Sequence, residues 1–281
     1  MTRTSGQVAG SGRALAALPL AILGLAGLAY LASAGAPHSY VLINAGALTA
    51  GTALAAFAPE LRGVLLLRVL TAALLTILFL PSLTGPSVQG VERWLPRGPL
   101  TVHSGMLVLP ALAVLAARDP DYAAPILLAS LFAAFLQPDA ATGFAITFAA
   151  VALHDVTRDW RVGVAAILAF FATLMMAVRG ELPPQKFVER IFVDLLVAAP
   201  LAAAAVFLTL VAAFFLMLWC APAGKPVRFA MAGALFGFVL MALLSHYPTP
   251  LVGYGAAPII GFGLALWLGR GTSIRLAGAS A

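Results

Sequence analysis

Cysteine is nearly missing: Cys220 is the one thiol in 281 residues, which excludes an intrachain disulfide and a cysteine metal cluster. Charge is scarce as well. Asp, Glu, Lys and Arg make up 9% of the chain, against roughly 25% in a soluble domain, so a soluble fold is excluded. The apolar segments run on without the short apolar–polar alternation of a transmembrane barrel. No His/Cys/Asp grouping has metal-ligand spacing, no phosphate-binding glycine loop is present and no nucleophile triad can be named. Nor is there an internal repeat of the kind that marks many transporters.

What is there is hydrocarbon. Hydrophobic residues make up 62% of the chain, the mean hydropathy is +1.03, and Ala/Leu-rich runs of membrane length recur. The expectation is an all-α polytopic membrane protein. It forms a single transmembrane helical domain over 1–281, with about ten spans at roughly 14–35, 40–58, 63–83, 100–117, 123–137, 140–156, 160–178, 191–218, 228–246 and 251–269. The first reads as a signal anchor behind a polar, basic start. Residues 123–153 could instead be one helix kinked at Pro138. Two spans with a turn at Gln137-Pro138-Asp139 put Arg118, Arg158 and Arg161 on one side, as the positive-inside rule favours.

The net charge of +6 fits basic residues that flank helices better than nucleic-acid binding. With ten spans both termini share a side. That side carries Arg3, Arg13, Arg62, Arg68, Arg118, Arg158, Arg161, Lys225, Arg228, Arg270 and Arg275, so both ends are expected in the cytoplasm. Arg93, Arg97, Arg179, Lys186 and Arg190 fall on the other face, in two loops. Cations clustered there suit an anionic ligand or an acidic partner; interfacial anchoring with Glu92, Glu181 and Glu189 nearby is the plainer account. Asp139 reads as a helix N-cap, Trp94 as a belt residue or part of a groove, and His103 as an ordinary loop residue. Asp194 reads as the structural ion-pair partner of Arg190. His154, Asp155, Arg158, Asp159 and Arg161 read as solvated pairs.

Three stretches together resemble the SEDS family, the FtsW/RodA/SpoVE cell-wall glycosyltransferases. Gly90-Val91-Glu92-Arg93-Trp94-Leu95-Pro96-Arg97-Gly98-Pro99-Leu100 is similar to the family's Gly-x-x-Arg-Trp-x-x-x-Gly loop. Leu136-Gln137-Pro138-Asp139 matches its Leu-Gln-Pro-Asp, and Thr249-Pro250-Leu251-Val252-Gly253-Tyr254-Gly255 resembles its Pro-Leu…Tyr-Gly-Gly element. The resemblance covers about 90–269. His103-Ser104-Gly105-Met106 stands where the family has Gln-Pro-Ser-Glu. The long outer loop that carries the family's catalytic aspartate shrinks here to residues 180–190, where Glu189 takes the aspartate's place with one residue inserted.

The resemblance implies an inner-membrane, multi-pass bacterial protein of cell-wall assembly. It would transfer sugar from a polyprenyl-pyrophosphate-linked disaccharide on the outer face, beside a single-span class B penicillin-binding protein or another membrane subunit. Glu189 would deprotonate the acceptor, or else pair with Lys186 or Arg190. Arg93, Trp94, Arg97, Gln137, Asp139, Lys186 and Arg190 would hold the substrate. No cofactor is certain, and a divalent cation beside the pyrophosphate is admitted. Two other readings stay open: a catalytically inactive subunit or scaffold of a membrane complex, and a small lipid or solute transporter.

Overall fold

Ala and Leu are strong helix formers, and a backbone in hydrocarbon must satisfy its own hydrogen bonds. Helix is therefore the state these runs adopt. The computed structural model describes residues 5–97, 100–180 and 182–270, without the side chains of residues 5–14, 96, 97 and 100. The helices are α1 (Ser5–Ser33), α2 (His38–Phe57), α3 (Val64–Phe79), α4 (Pro81–Thr84), α5 (Ser104–Arg118) and α6 (Ala123–Leu136). They continue with α7 (Ala140–Thr157), α8 (Trp160–Arg179), α9 (Ile191–Ala198), α10 (Pro200–Phe215), α11 (Lys225–Leu244) and α12 (Ala256–Gly269). Among the described residues seven helical stretches are long and apolar enough to cross a membrane, and α5, α6 and α12 are shorter apolar helices. The protein is a polytopic helical membrane protein.

Several apolar runs break where hydropathy alone gives no sign. The run from Leu100, expected to be helical from its first residue, opens as a strand. β1 (Trp94–Arg97) pairs antiparallel with β2 (Leu100–His103), Trp94 opposite His103. The Ser104 amide still bonds back to the Arg93 carbonyl at 3.2 Å, so α5 starts only there. The stretch expected as one span over 191–218 divides into α9 and α10, followed by a π-helical turn at Leu216–Cys220. Pro200, like Pro81 before it, has no N–H to extend the preceding helix and opens the next one. The last helix begins at Ala256 rather than near 251, after Gly255 at φ +153°.

The core is organised on α5, whose residues are buried at every position but Leu107. It packs against α12, α11, α3, α6 and α7. The tightest helix pair is α7 with α11, and glycine makes it so. A Cβ on Gly233 would sit 2.4 Å from the Phe148 carbonyl oxygen, and one on Gly237 2.3 Å from that of Phe144, the backbone approach that small residues permit between membrane helices. Outward, α8 shows Ile167, Phe171 and Val178 at 60–88% exposure; such a face is at home only against lipid.

Cross-loop hydrogen bonds define two ends of the bundle. At one end Arg118 reaches the carbonyls of Leu268 and Leu61, Arg270 those of Ala56 and Ala58, and Trp267 that of Pro59. At the other, the connections 80–103, 137–139, 180–190 and 245–255 are tied together and to α2 through their described residues, and there a polar cleft opens.

Candidate functional site

The site is built from short connections because buried polar groups must find partners, and here most of them lie on other loops. Asp139 is fully buried and caps α7, accepting from the Thr142 amide at 3.2 Å and from the Thr142 hydroxyl. Gln137, also fully buried, donates to the Leu78 carbonyl and accepts from the Ser104 hydroxyl at 3.3 Å. Both side chains are turned into the helix junction, away from the cleft. Arg93 is 0% exposed, with its guanidinium 4.7 Å from the Trp94 ring centre and 4.5 Å from that of Tyr247. It donates to the Gly180 carbonyl at 3.3 Å, as does the Tyr247 hydroxyl. Its Nε and Nη2 find no acceptor among the described residues; two π faces stand in their place.

The cleft has a volume of about 470 Å³. The hairpin contributes Trp94 and His103 to it, the 185–189 loop Lys186 and Glu189, and α2 and the 248–258 segment the remaining wall. Glu189 is 6% exposed, and its Oε2 accepts the Gln185 amide at 2.6 Å. Burial pushes its carboxyl above the usual range, against the pull of that bond and of the Arg93 and His246 charges. Its backbone pairs with Pro248, and the Thr249 amide donates to Val188 at 3.0 Å. The short loop is thereby held as a strand-like rim rather than left free. Lys186 is exposed and lies 4.8 Å over the Phe187 ring.

Of the residues singled out in the sequence, Trp94, Lys186 and Glu189 meet in the cleft. Arg190 is exposed at the start of α9, at φ +58°, and does not line it. The expected Arg190–Asp194 pair is not among the ion pairs of the described residues. The Arg97 side chain lies outside the described residues. Sequence reasoning took His103 for an ordinary loop residue, but it caps α5 by accepting the Met106 amide at Nδ1 (3.2 Å) and turns Nε2 to within 3.6 Å of Asp139. Burial lowers its pKa against the pull of the Asp139 carboxylate, and with Nδ1 accepting from Met106 the ring carries its proton on Nε2. Sequence reasoning passed over Tyr40 and Asn44 on α2. Spacing pointed to neither; only the paired arrival of α2 and the 253–255 segment does.

A chain with this many apolar helices, four connections tied together at one end and a carboxylate-bearing cleft among them defines a membrane protein with a candidate site at that end of its bundle. No protein-family model matches the sequence, and no curated protein matches it. Solved structures do. The fold is similar to the Thermus thermophilus rod shape determining protein RodA, with a TM-score of 0.62 to an aspartate-to-alanine variant and 0.56 to RodA itself. Identity is 20% to each, covering 91% of this chain and 96% and 95% of those chains. A chain from a peptidoglycan synthase complex, described as coordinating polymerization and crosslinking, matches at a TM-score of 0.59, 20% identity and 91% and 96% coverage. The chain has the RodA fold.

Proposed function

We propose that the protein is a divergent SEDS-type protein of the bacterial inner membrane that acts in cell-wall peptidoglycan assembly. In this reading its cleft transfers sugar from a polyprenyl-pyrophosphate-linked disaccharide. The observation that carries the reading is Glu189: a buried carboxylate with a raised pKa, on the wall of a cleft, in a RodA-like fold. A base poised closer to neutrality than an ordinary carboxylate suits removal of a hydroxyl proton. Glu189 takes that proton, the freed oxygen attacks the anomeric carbon of the donor, and the bond from that carbon to the pyrophosphate breaks. The pyrophosphate lipid departs with the bonding electrons. Lys186 is the cation at the cleft for that departing charge, and Arg93 adds positive potential from behind Trp94.

The cleft opens at the end of the bundle that holds Arg93, Arg179, Lys186 and Arg190, the basic-poor side, which we assign to the outer face. A divalent cation used by the reaction would enter on the pyrophosphate rather than in a ligand set of the protein's own. No three metal-ligating side chains come together among the described residues, and Asp139 is spent on Thr142. By analogy with the peptidoglycan synthase complex neighbour, a single-span class B penicillin-binding protein is the expected partner. The second reading, a scaffold that has lost catalysis, is favoured by the inward turn of Gln137, Asp139 and Arg93, which leaves few motif residues at the cleft. Purified protein given lipid-linked disaccharide, with and without its partner, separates the two. Glycan polymer from wild type and none from Glu189→Gln supports transfer; none from either leaves the scaffold.

A further inference from the structure

One wall of the cleft comes from α2. Tyr40 stacks on Tyr254 with ring centres 3.6 Å apart and planes 8° from parallel, and Phe187 meets Tyr40 edge-on at 6.4 Å. All three line the cleft and remain half-buried rather than enclosed. The stack is held in place by a device of its own. One helical turn after Tyr40, on the same face, Asn44 is 1% exposed. Its amide donates to the Gly253 carbonyl at 3.0 Å and accepts from the Gly255 amide at 3.0 Å, so both neighbours of Tyr254 are clamped. From its other side the Tyr254 amide donates to the Phe187 carbonyl at 2.7 Å, two residues before Glu189. Rings and carboxylate thus share one hydrogen-bonded frame, the pre-organisation that a binding wall needs.

The chemistry of this wall selects its ligand. Stacked on one another, the two phenols cover each other's inner faces and leave the outer face of the pair, of negative partial charge, with hydroxyls at the rim. A phosphate gains nothing from such a face. A pyranose carries the matching pattern, a ring face of weakly positive C–H hydrogens bordered by hydroxyls that can bond to the phenols and to nearby backbone. We propose that Tyr40 and Tyr254 form a subsite for the face of a sugar ring, with Asn44 as the residue that positions them beside Glu189. This rests on the glycosyl-transfer reading of the cleft.

The test compares two ligands on the full chain in lipid nanodiscs: polyprenyl-pyrophosphate-linked disaccharide, and the same polyprenyl pyrophosphate without sugar. Wild type should bind the sugar-bearing lipid more tightly. Tyr40→Leu and Tyr254→Leu should cut that preference roughly five- to tenfold, the scale of a lost aromatic contact, and leave the sugar-free lipid unchanged, while Tyr40→Phe keeps the preference. If wild type prefers the sugar-bearing lipid and Tyr40→Leu keeps the same ratio, or loses both lipids equally, the subsite is overturned and the transfer reading stands. If wild type shows no preference, the transfer reading falls and takes the subsite with it. Should the leucine variants not fold, nitration of the wild-type chain by tetranitromethane serves instead. The sugar-bearing lipid should protect Tyr40 and Tyr254 where the sugar-free lipid does not, and equal nitration under both overturns the subsite.

Discussion

Glu189 is buried in its charged form only at a cost, and that cost has a sign. Its folded pKa lies above the unfolded one, so between the two values the folded chain holds a proton that the unfolded chain has released. Stability therefore falls as pH rises through that window and is highest below it. Glu189→Gln should remove this slope. The variant is expected to unfold in detergent at a temperature no lower than wild type at neutral pH, and to lose its advantage in acid; parallel curves for the two proteins would refute the assignment. Asp139 serves the fold through hydrogen bonds, its two carboxylate oxygens accepting from Thr142. Asp139→Asn should be nearly silent in thermal unfolding, whereas Asp139→Leu should cost about 1–2 kcal/mol, the value of an N-cap. Equal damage from both would mean that the charge itself matters. The cap was legible in the sequence, as a carboxylate at a turn just before an apolar run. The burial of Arg93 was not, for its carbonyl partner Gly180 lies 87 residues away and only the folded loops bring them together.

Among elements, the apolar runs announced their helices, but not where those helices stop. A helix that is apolar on every side has no period to read, so the strand at Leu100–His103 and the break before Pro200 were hidden inside continuous runs. The motifs marked the loop at 90–99, the turn at Gln137-Pro138-Asp139 and the segment 249–255; α2 carried no such mark, and so Tyr40 and Asn44 went unseen. Helix pairing was hidden for the same reason, though its agents are plain glycines. Gly237→Leu should force α11 off α7, because a Cβ there already overlaps the Phe144 carbonyl. We expect a lower unfolding temperature and loss of the monodisperse species by size exclusion. Gly46→Ala, where a Cβ meets nothing within 4 Å, should change neither, and a similar loss in both variants would show that the α7–α11 contact is not the cause.

Across the whole molecule, the distribution of basic side chains predicts which end faces the cytoplasm. On a Cys220→Ser background, Gln185→Cys should react with a membrane-impermeant maleimide added outside intact cells. Reaction only after the cells are opened would invert the assignment and put the cleft on the wrong side for a donor displayed outside.

The short helices have a further consequence, for the lipid rather than the protein. α6 has 14 residues, about 21 Å of helix at 1.5 Å per residue, against a hydrocarbon layer of about 30 Å. Unlike α5, it meets lipid directly, through Leu128, Phe132 and Leu136. The acyl chains beside it must shorten or tilt, so the protein travels in a dimple of its own making. Reconstituted into bilayers of stepped chain length, it should be most heat-stable in the thinner ones. Two dimples that merge deform less lipid than two kept apart. The bilayer itself thereby draws this chain toward any neighbour with an equally short flank, before the two proteins touch.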